Sequence, residues 1–269
     1  MDNKISIDVF VGAENAFHVT STIVSGEHDA VLIDAQFTRS DAQRLAERIK
    51  ATGKNLTTVY VTHGHPDHYW GFTTLSEQFP RARFVTAPEV VPVIDETLDA
   101  KVAQWKPMYG DEVPNAPIKP KALDGDAIDL EGNELSIIHL GQGDVHSSTV
   151  VWIPLLSTIV AGDVAYNGTH VWLAEDSPQQ RLQWIENLER LAEMNPKAVI
   201  AGHKVPGAND DGRRVLIRET RDYIASFHAA VGQSSSAREL IKIMAEKYQD
   251  RALSIILEIS ANAAFPGTK

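Results

Sequence analysis

The chain has 269 residues, of which 43% are apolar and 23% are charged, and its formal net charge at pH 7 is −11. This composition is typical of a folded protein rather than a disordered chain. The acidic balance argues against a nucleic-acid partner because it repels a phosphate backbone. The absence of cysteine excludes disulfides, thiolate metal ligands and a thiol nucleophile.

The N-terminus and the apolar runs give no indication of a membrane protein. The N-terminal segment MDNKISIDVFVG lacks the basic region and the long apolar run of a signal peptide. No apolar run in the sequence reaches the length of a transmembrane helix. We therefore expect a cytoplasmic protein without a membrane partner.

The first part of the chain alternates predicted strands with one helix. Apolar and β-branched side chains predict strands at residues 5–11, 17–24, 30–34 and 57–62. A capping-box pattern from Ser40 to Gln43 predicts the start of a helix, which ends near Gly53. The apolar residues of this helix fall on one face, so we expect it to pack on a sheet.

The rest of the chain repeats the order of strands followed by a helix. Strands are predicted at residues 83–86, 135–140, 149–153, 157–161 and 197–201. Residues 88–129 are rich in proline and are interpreted as a partly helical insertion over the core. Ser177, Pro178 and Gln180 indicate the start of a second helix with Leu182 on its buried face. Helices follow from residue 212, and this order predicts sheets flanked by helices.

The segment VTHGHPDHYWG, residues 61–71, places three histidines and an aspartate at the end of a predicted strand. His63 and His65 are two residues apart in an extended segment, so both imidazoles face the same side and reach one metal ion. Asp67 and His68 follow in a turn, where they reach a second ion. Three imidazoles crowded into one turn need a cation or solvent to balance them, so the segment predicts a metal site.

The motif T-H-G-H-P-D-H resembles the H-x-H-x-D-H signature of the metallo-β-lactamase superfamily. The resemblance implies an α/β fold, a four-layer αββα sandwich with C-terminal helices. The implied domain covers residues 1–211, with the insertion around 88–129, and residues 212–269 form a helical extension packed on it. The family's later ligands are matched by Asp163 in VAGDVAY and by His203 in VIAGHK, each after an apolar strand.

One implied ligand departs from the family pattern. The family has G-x-G-H, whereas this chain has GQGDVHSSTVVWIP at residues 141–154, which puts Asp144 where the histidine belongs. Asp144 is one candidate ligand, because aspartate binds zinc at a similar distance. His146, two residues later, is the second candidate if the loop shifts. A third interpretation leaves this first metal site incomplete.

The resemblance implies two divalent metal ions, preferably zinc, with iron or manganese as alternatives because aspartate enriches the oxygen ligands. Such a pair activates water as hydroxide, which predicts hydrolysis of an ester, lactone, thioester or lactam bond in a small molecule. Asp67 and Tyr166 are the predicted catalytic residues. Asp67 would orient the hydroxide or carry its proton, and the Asp163-x-x-Tyr166 spacing is similar to that of the superfamily's lactonases.

Three other functions and one assembly remain open at this stage. One of these functions is a non-enzymatic binding or structural module whose metal site has decayed. The same fold also supports iron-dependent, dioxygenase-like redox chemistry and phosphodiester hydrolysis, although the charge of −11 argues against the latter. A homo-oligomer formed through the C-terminal helices is compatible with the sequence. Residues that line a pocket or, alternatively, pack in the core are Trp70, Phe72, Trp105, Met108, Tyr109, His170 and Trp172.

Overall fold

The structure, a computed structural model that describes residues 5–267, is built on two mixed β-sheets. The strands, in chain order, are β1 Ser6–Val11, β2 Thr20–Ser25, β3 Asp29–Ile33, β4 Asn55–Val61, β5 Arg83–Thr86, β6 Lys121–Ala122, β7 Ala127–Leu130, β8 Asn133–Gln142, β9 His146–Ile153, β10 Thr158–Asn167 and β11 Ala198–Lys204. The first sheet has the order β1-β2-β3-β4-β5-β6 and the second β11-β10-β9-β8-β7. Parallel pairs join β3 through β6 and also β10 to β11, and the other pairs are antiparallel.

Helices connect and cover the strands. The α-helices are α1 Arg39–Ala51, α2 Pro66–Tyr69, α3 Phe72–Gln78, α4 Val90–Tyr109, α5 Pro178–Glu193, α6 Asp222–Gln233, α7 Ala237–Lys247 and α8 Ser254–Ala264. A π-helix spans Arg214–Arg221, and 3-10 turns span Glu14–Ala16, Gly110–Glu112 and Pro154–Leu156. Among residues 5–267, none of the helices combines the length and apolar character that a membrane crossing requires.

Three apolar clusters show the layering. The cluster between the sheets contains Val31, Tyr60, Val151 and Ile200, contributed by strands of both sheets. A second cluster packs α1 and α3 on the first sheet, and a third packs α5 and the C-terminal helices on the second sheet. The predicted four-layer αββα sandwich is therefore confirmed.

The C-terminal helices share the core of the second sheet. Phe227 of α6, Leu240 of α7 and Leu257 of α8 lie in the same apolar cluster as Trp184 of α5. All four side chains are at most 1% exposed. Burial of several large apolar side chains stabilises this contact by several kcal/mol in total, at roughly 1.5–3 kcal/mol each.

Three details of the sequence prediction are wrong. Helix α1 begins at Arg39 with Thr38 as its N-cap, because the Thr38 side chain accepts from the Asp41 N–H while the Ser40 N–H donates to Glu112. Leu182 is exposed, because α5 turns Trp184 and its neighbours inward instead. The capping box predicted at the start of α5 is confirmed.

The third wrong detail concerns the strand that carries Asp163. The sequence predicted that this strand ends at residue 161, but β10 continues to Asn167. Gly162 has a φ of +48°, and the register with β11 shifts on both sides of it. The shift is a β-bulge, which re-aims the following side chains without ending the strand.

Gly71 is required by the close approach of two loops around the histidine segment. A Cβ at this position would overlap the carbonyl oxygen of Ala35 and lie 3.1 Å from the Cβ of Ala42. We expect Gly71→Ala to lower the free energy of unfolding in urea by roughly 1–3 kcal/mol, because backbone must move to make room. Gly232 in α6 is the control, since no atom lies within 4 Å of the added Cβ. Gly232→Ala should stabilise by up to about 1 kcal/mol, and equal losses in both variants would contradict this account.

Candidate metal centre

The predicted ligands converge at one edge of the two sheets. The histidine segment follows the end of β4 and continues into α2, which starts at Pro66. Asp163 lies on β10, His203 lies on β11, and Asp144 lies in the turn between β8 and β9. Strands of both sheets therefore deliver side chains to the same place, although the residues are far apart in sequence.

The side chains form two groups in which the ligand atoms all lie within 4.8 Å of one another. The first group is His63, His65, Asp144 and Asp163, and all four side chains are buried. The second group is Asp67, His68 and His203. Asp163 also contacts the second group, since its Oδ1 lies 3.0 Å from His68 Nε2 and its Oδ2 lies 3.0 Å from His203 Nε2. Asp163 therefore lies between the two groups.

Several buried polar atoms of the first group have no hydrogen-bond partner among the described residues. Asp144 Oδ2 lies 2.6 Å from His65 Nδ1 and 3.8 Å from His63 Nε2, yet His63 Nε2 and both Asp144 oxygens have no hydrogen-bond partner within residues 5–267. Buried polar atoms without partners are costly. Ligand atoms around a tetrahedral zinc ion are about 3.3 Å apart. Because such atoms point at the ion, they do not point at one another as donor and acceptor in a hydrogen bond must. The residues therefore fit a metal ion.

A buried carboxylate, Asp34, orients one histidine of each group. Its Oδ2 accepts from His68 Nδ1 at 2.9 Å, which leaves the His68 Nε2 lone pair facing the site. Its oxygens also accept from the Thr62 hydroxyl at 3.0 and 3.2 Å. The Thr62 oxygen must then accept from His63 Nδ1, 3.0 Å away, so His63 Nε2 also carries a lone pair. Such outer contacts fix the tautomer of metal-binding histidines.

His203 is oriented in the same manner by backbone. Its Nδ1 lies 2.6 Å from the carbonyl oxygen of Phe17, which can only accept, so Nε2 is left to face Asp163 and Asp67. The hydroxyl of Tyr166 donates to Asp163 Oδ2 at 2.8 Å, and the Tyr166 ring stacks on His203. These contacts hold the Asp163 carboxylate in place.

The crowding shifts the pKa of several groups. Burial would lower the pKa of His203, but the carboxylates of Asp163 and Asp67 raise it to about 10. Burial lowers the pKa of His63 well below its usual value, and His68 adds to this. Burial would raise the pKa of Asp163, but His203 and His68 hold it well below its usual range. Metal ligation requires neutral imidazoles and ionised carboxylates, so metal binding would release protons.

The structure brings Asp144 into the site and leaves His146 outside it. Asp144 is fully buried and contacts His65, whereas His146 begins β9 with an exposed side chain and belongs to neither group. Of the two side chains predicted for this position, only Asp144 has the geometry of a ligand. Its role in binding metal stays a prediction.

The other predicted residues are distributed between the cavity and the core. Tyr166 is fully buried and bonds Asp163, and it is not among the residues that line the cavity, where a catalytic group would meet a substrate. Trp105 and Trp172 line the cavity beside the metal ligands. Trp70 lies buried in the core, and His170 bonds the Tyr223 hydroxyl.

The cavity opens directly onto the ligand groups. The cavity has a volume of about 40 Å³ and opens to solvent at its mouth. The candidate ligand side chains on its wall are His65, Asp67, Asp163 and His203. Asp67 is the ligand candidate with a partly exposed carboxylate, 16% exposed at the side chain, so it is accessible to a substrate or water in the cavity.

Three polar residues near the site were not found from the sequence. Asp34 was noted only as the end of a strand, while Lys101 and Glu175 gave no signal because their contact joins segments 74 residues apart. Lys101 lies on α4, within the segment interpreted as an insertion. Motif spacing reveals only residues that are close in the sequence, so it could not reveal a contact between residues 74 positions apart.

Asp176 is a buried carboxylate next to the first group. Burial and the nearby Asp144 raise its pKa to about 8, whereas an unfolded aspartate titrates near 3.9. The unfolded chain therefore ionises before the folded one, and stability falls as pH rises from about 4 to 8. We expect Asp176→Asn to raise the free energy of unfolding at pH 8 by roughly 1–2 kcal/mol, with Asp124→Asn on the surface as a control. Urea unfolding at the two pH values gives the measurement. A gain of equal size at pH 4 would show that the effect does not come from the raised pKa of Asp176.

Comparison with known proteins places these features in context. A family model described as metallo-beta-lactamase superfamily matches residues 15–203. Hydroxyacylglutathione hydrolase of Aeromonas hydrophila is 25% identical over 169 residues, which are 63% of this chain and 55% of that protein. The same enzyme of Aeromonas salmonicida is 26% identical over 178 residues, 66% of this chain and 58% of that protein. The chain thus spans little more than half of these relatives.

Solved structures share the fold at low sequence identity. A metallo-beta-lactamase family protein from Thermus thermophilus has a TM-score of 0.65 and 19% identity, with 94% of this chain and 91% of that chain covered. A beta-lactamase domain protein from Burkholderia ambifaria has a TM-score of 0.66 and 17% identity, with 96% and 84% covered. At such identities the likeness concerns the fold alone.

Proposed function

The chain belongs to the metallo-β-lactamase superfamily, and from this premise we propose that it is a metal-dependent hydrolase that opens an ester, lactone, thioester or lactam bond of a small molecule. The observation that carries the proposal is the convergence of seven histidine and aspartate side chains beside a cavity. The relatives named hydroxyacylglutathione hydrolase support hydrolysis and favour a thioester among these bonds.

The proposed site holds two divalent ions. His63, His65, Asp144 and Asp163 would bind one, and Asp67, His68 and His203 would bind the other, with Asp163 between them. Divalent ions at such a site polarise a substrate oxygen and lower the pKa of water towards neutrality. We propose zinc, with manganese or iron as alternatives because Asp144 adds an oxygen ligand.

Individual side chains of the chain have separate tasks in this proposal. The Asp67 carboxylate, which reaches the cavity, accepts a proton at Oδ and directs the attacking oxygen. Asp34 and the Phe17 carbonyl keep the histidines in one tautomer. Tyr166 holds the Asp163 carboxylate rather than the substrate. The apolar side chains on the cavity wall exclude bulk water.

A second candidate function is iron-dependent redox chemistry, for which Asp144 is the favouring observation. A carboxylate in place of the family histidine raises the share of oxygen ligands, which suits iron or manganese better than zinc. Phosphodiester hydrolysis has weaker support, since the described part of the chain places one lysine, Lys101, and no arginine on the cavity wall, and Lys101 is already paired.

The proposal is tested by removing and restoring the metal. The protein is stripped with a chelator, reloaded with zinc, manganese or iron, and assayed with an ester, a lactone, a thioester and a β-lactam. We expect hydrolysis of at least one class that disappears on stripping and returns on reloading. A reloaded protein that holds two ions and cleaves none of the four contradicts the proposal, and oxygen uptake by the iron form would favour the redox alternative.

A further inference from the structure

The part of the cavity wall that lies away from the candidate metal ligands is mostly apolar. Its walls come from separated parts of the chain, including the segment after β1, the helix α4, the segment after β10 and the C-terminal helix α8. The apolar lining residues are Phe17, Phe37, Pro66, Trp105, Trp172 and Ile256. A wall of this kind binds an apolar group through burial, at roughly 25 cal/mol per Å².

Among residues 5–267, Lys101 is the one lysine or arginine on this wall, and its charge is already neutralised. Lys101 Nζ lies 2.7 Å from Glu175 Oε1, and the Lys101 side chain is only 15% exposed. The same Glu175 oxygen lies 3.4 Å from His65 Nε2. Glu175 does not itself line the cavity, but a substrate carboxylate that reached Lys101 would meet a lysine whose charge is already balanced.

The segment that carries Glu175 and Trp172 is held in place by the C-terminal extension. Backbone hydrogen bonds join His170 to Ala252 and Ala252 to Gly168, each at 3.0 Å. The Leu173 N–H donates to the Ser260 hydroxyl at 3.0 Å. The backbone is thus anchored on the C-terminal extension up to Leu173, two residues before Glu175, whose side chain is 34% exposed.

We propose, on the basis of the proposed function, that the substrate carries an apolar group whose far end is uncharged. We further propose that Glu175 determines this specificity, because it neutralises Lys101 and so disfavours anionic substrates. A carboxylate in this cavity would lose its water without gaining a free cation, which is unfavourable. A neutral acyl chain of the same length meets no such penalty and buries its end against the aromatic wall.

A matched pair of esters tests the charge preference. The 4-nitrophenyl ester of hexanoic acid and the mono-4-nitrophenyl ester of adipic acid have the same acyl chain length and differ in the terminal methyl or carboxylate. We expect the metal-loaded wild type to prefer the hexanoate in kcat/KM by about tenfold or more. A ratio near one, or a preference for the adipate, overturns the proposal.

Variants of the ion pair test the role of Glu175 itself. The ratio of kcat/KM for the two esters is compared between variants, because a general effect of the mutation through His65 changes both values alike. Glu175→Gln frees Lys101 and should shift the ratio towards the adipate by about tenfold. The double variant Glu175→Gln with Lys101→Gln removes both charges and should return the ratio to that of the wild type. An unchanged ratio in Glu175→Gln overturns the role of Glu175.

Binding of uncleaved analogues separates this inference from the proposed function. Calorimetry with hexananilide and with the monoanilide of adipic acid measures the same charge preference without hydrolysis. If no ester, lactone, thioester or lactam is cleaved but hexananilide still binds better, and Glu175→Gln reduces that preference, the inference stands and the proposed function fails. If neither anilide binds, or the charged one binds as well as the neutral one, the inference is wrong.

Discussion

Asp144→Ala is expected to remove about one metal ion per chain and to abolish the activity that depends on it. Asp144 is fully buried, its two oxygens have no hydrogen-bond partner within residues 5–267, and it lies 2.6 Å from His65 Nδ1. Its removal leaves His63, His65 and Asp163 as the first group. The loss in metal affinity should exceed the roughly 10–100-fold that is typical when the mutated residue only hydrogen-bonds a metal ligand.

Two control variants make this result interpretable. His146→Ala should keep the full metal content, because His146 is exposed and lies in neither ligand group. Asp144→His restores the histidine of the family pattern and should retain two ions while shifting selectivity towards zinc, since it replaces an oxygen ligand with a nitrogen. Metal content by mass spectrometry of the purified proteins provides the measurement. Full metal content in Asp144→Ala, or a loss in His146→Ala, would show that the ligand assignment is wrong.

The sequence predicted the cluster of candidate metal ligands best where the residues are close together in the chain. The histidine segment places His63, His65, Asp67 and His68 within six residues, and this local spacing was sufficient to predict a metal site. Asp163 and His203 required the further step of matching strand ends to the family pattern. The match to the family segment left Asp144, His146 or an incomplete site open, and the structure places Asp144 and the six other candidates, but not His146, in the two groups.

The parts that the sequence did not reveal depend on long-range contacts. Asp34 lies 28 residues before Thr62 and 34 residues before His68, so no spacing rule links them. The β-bulge at Gly162 depends on a positive φ and on the register with β11, and a run of apolar residues does not show either. Leu182 was misplaced because one apolar residue in an amphipathic helix does not reveal which neighbour packs inward.

Mutation of Asp34 is expected to have the second large effect on metal binding, because Asp34 orients one histidine in each ligand group. Its φ of 60° lies in the left-handed region, which asparagine tolerates well, so Asp34→Asn changes the chemistry with little backbone strain. The asparagine oxygen retains the acceptor for the Thr62 N–H, which lies 2.9 Å from Oδ1. Its amide then presents an N–H to His68 Nδ1, where the carboxylate had accepted a hydrogen bond.

The expected result of Asp34→Asn is a loss of metal affinity of about 10–100-fold at the second group, seen as one weakened step in calorimetry. The first group should be little affected, because the asparagine oxygen can still accept from the Thr62 hydroxyl. His68 Nδ1 must become the acceptor, so its proton moves to Nε2 and faces the metal site. Thr62→Val distinguishes the two contacts, because it removes the acceptor of His63 Nδ1 and a donor to Asp34 but leaves the bond from His68 Nδ1 to Asp34 in place. It should therefore weaken the first step alone. Equal weakening of both steps in Thr62→Val, or unchanged binding in Asp34→Asn with the fold intact by circular dichroism, would contradict the orienting role of Asp34.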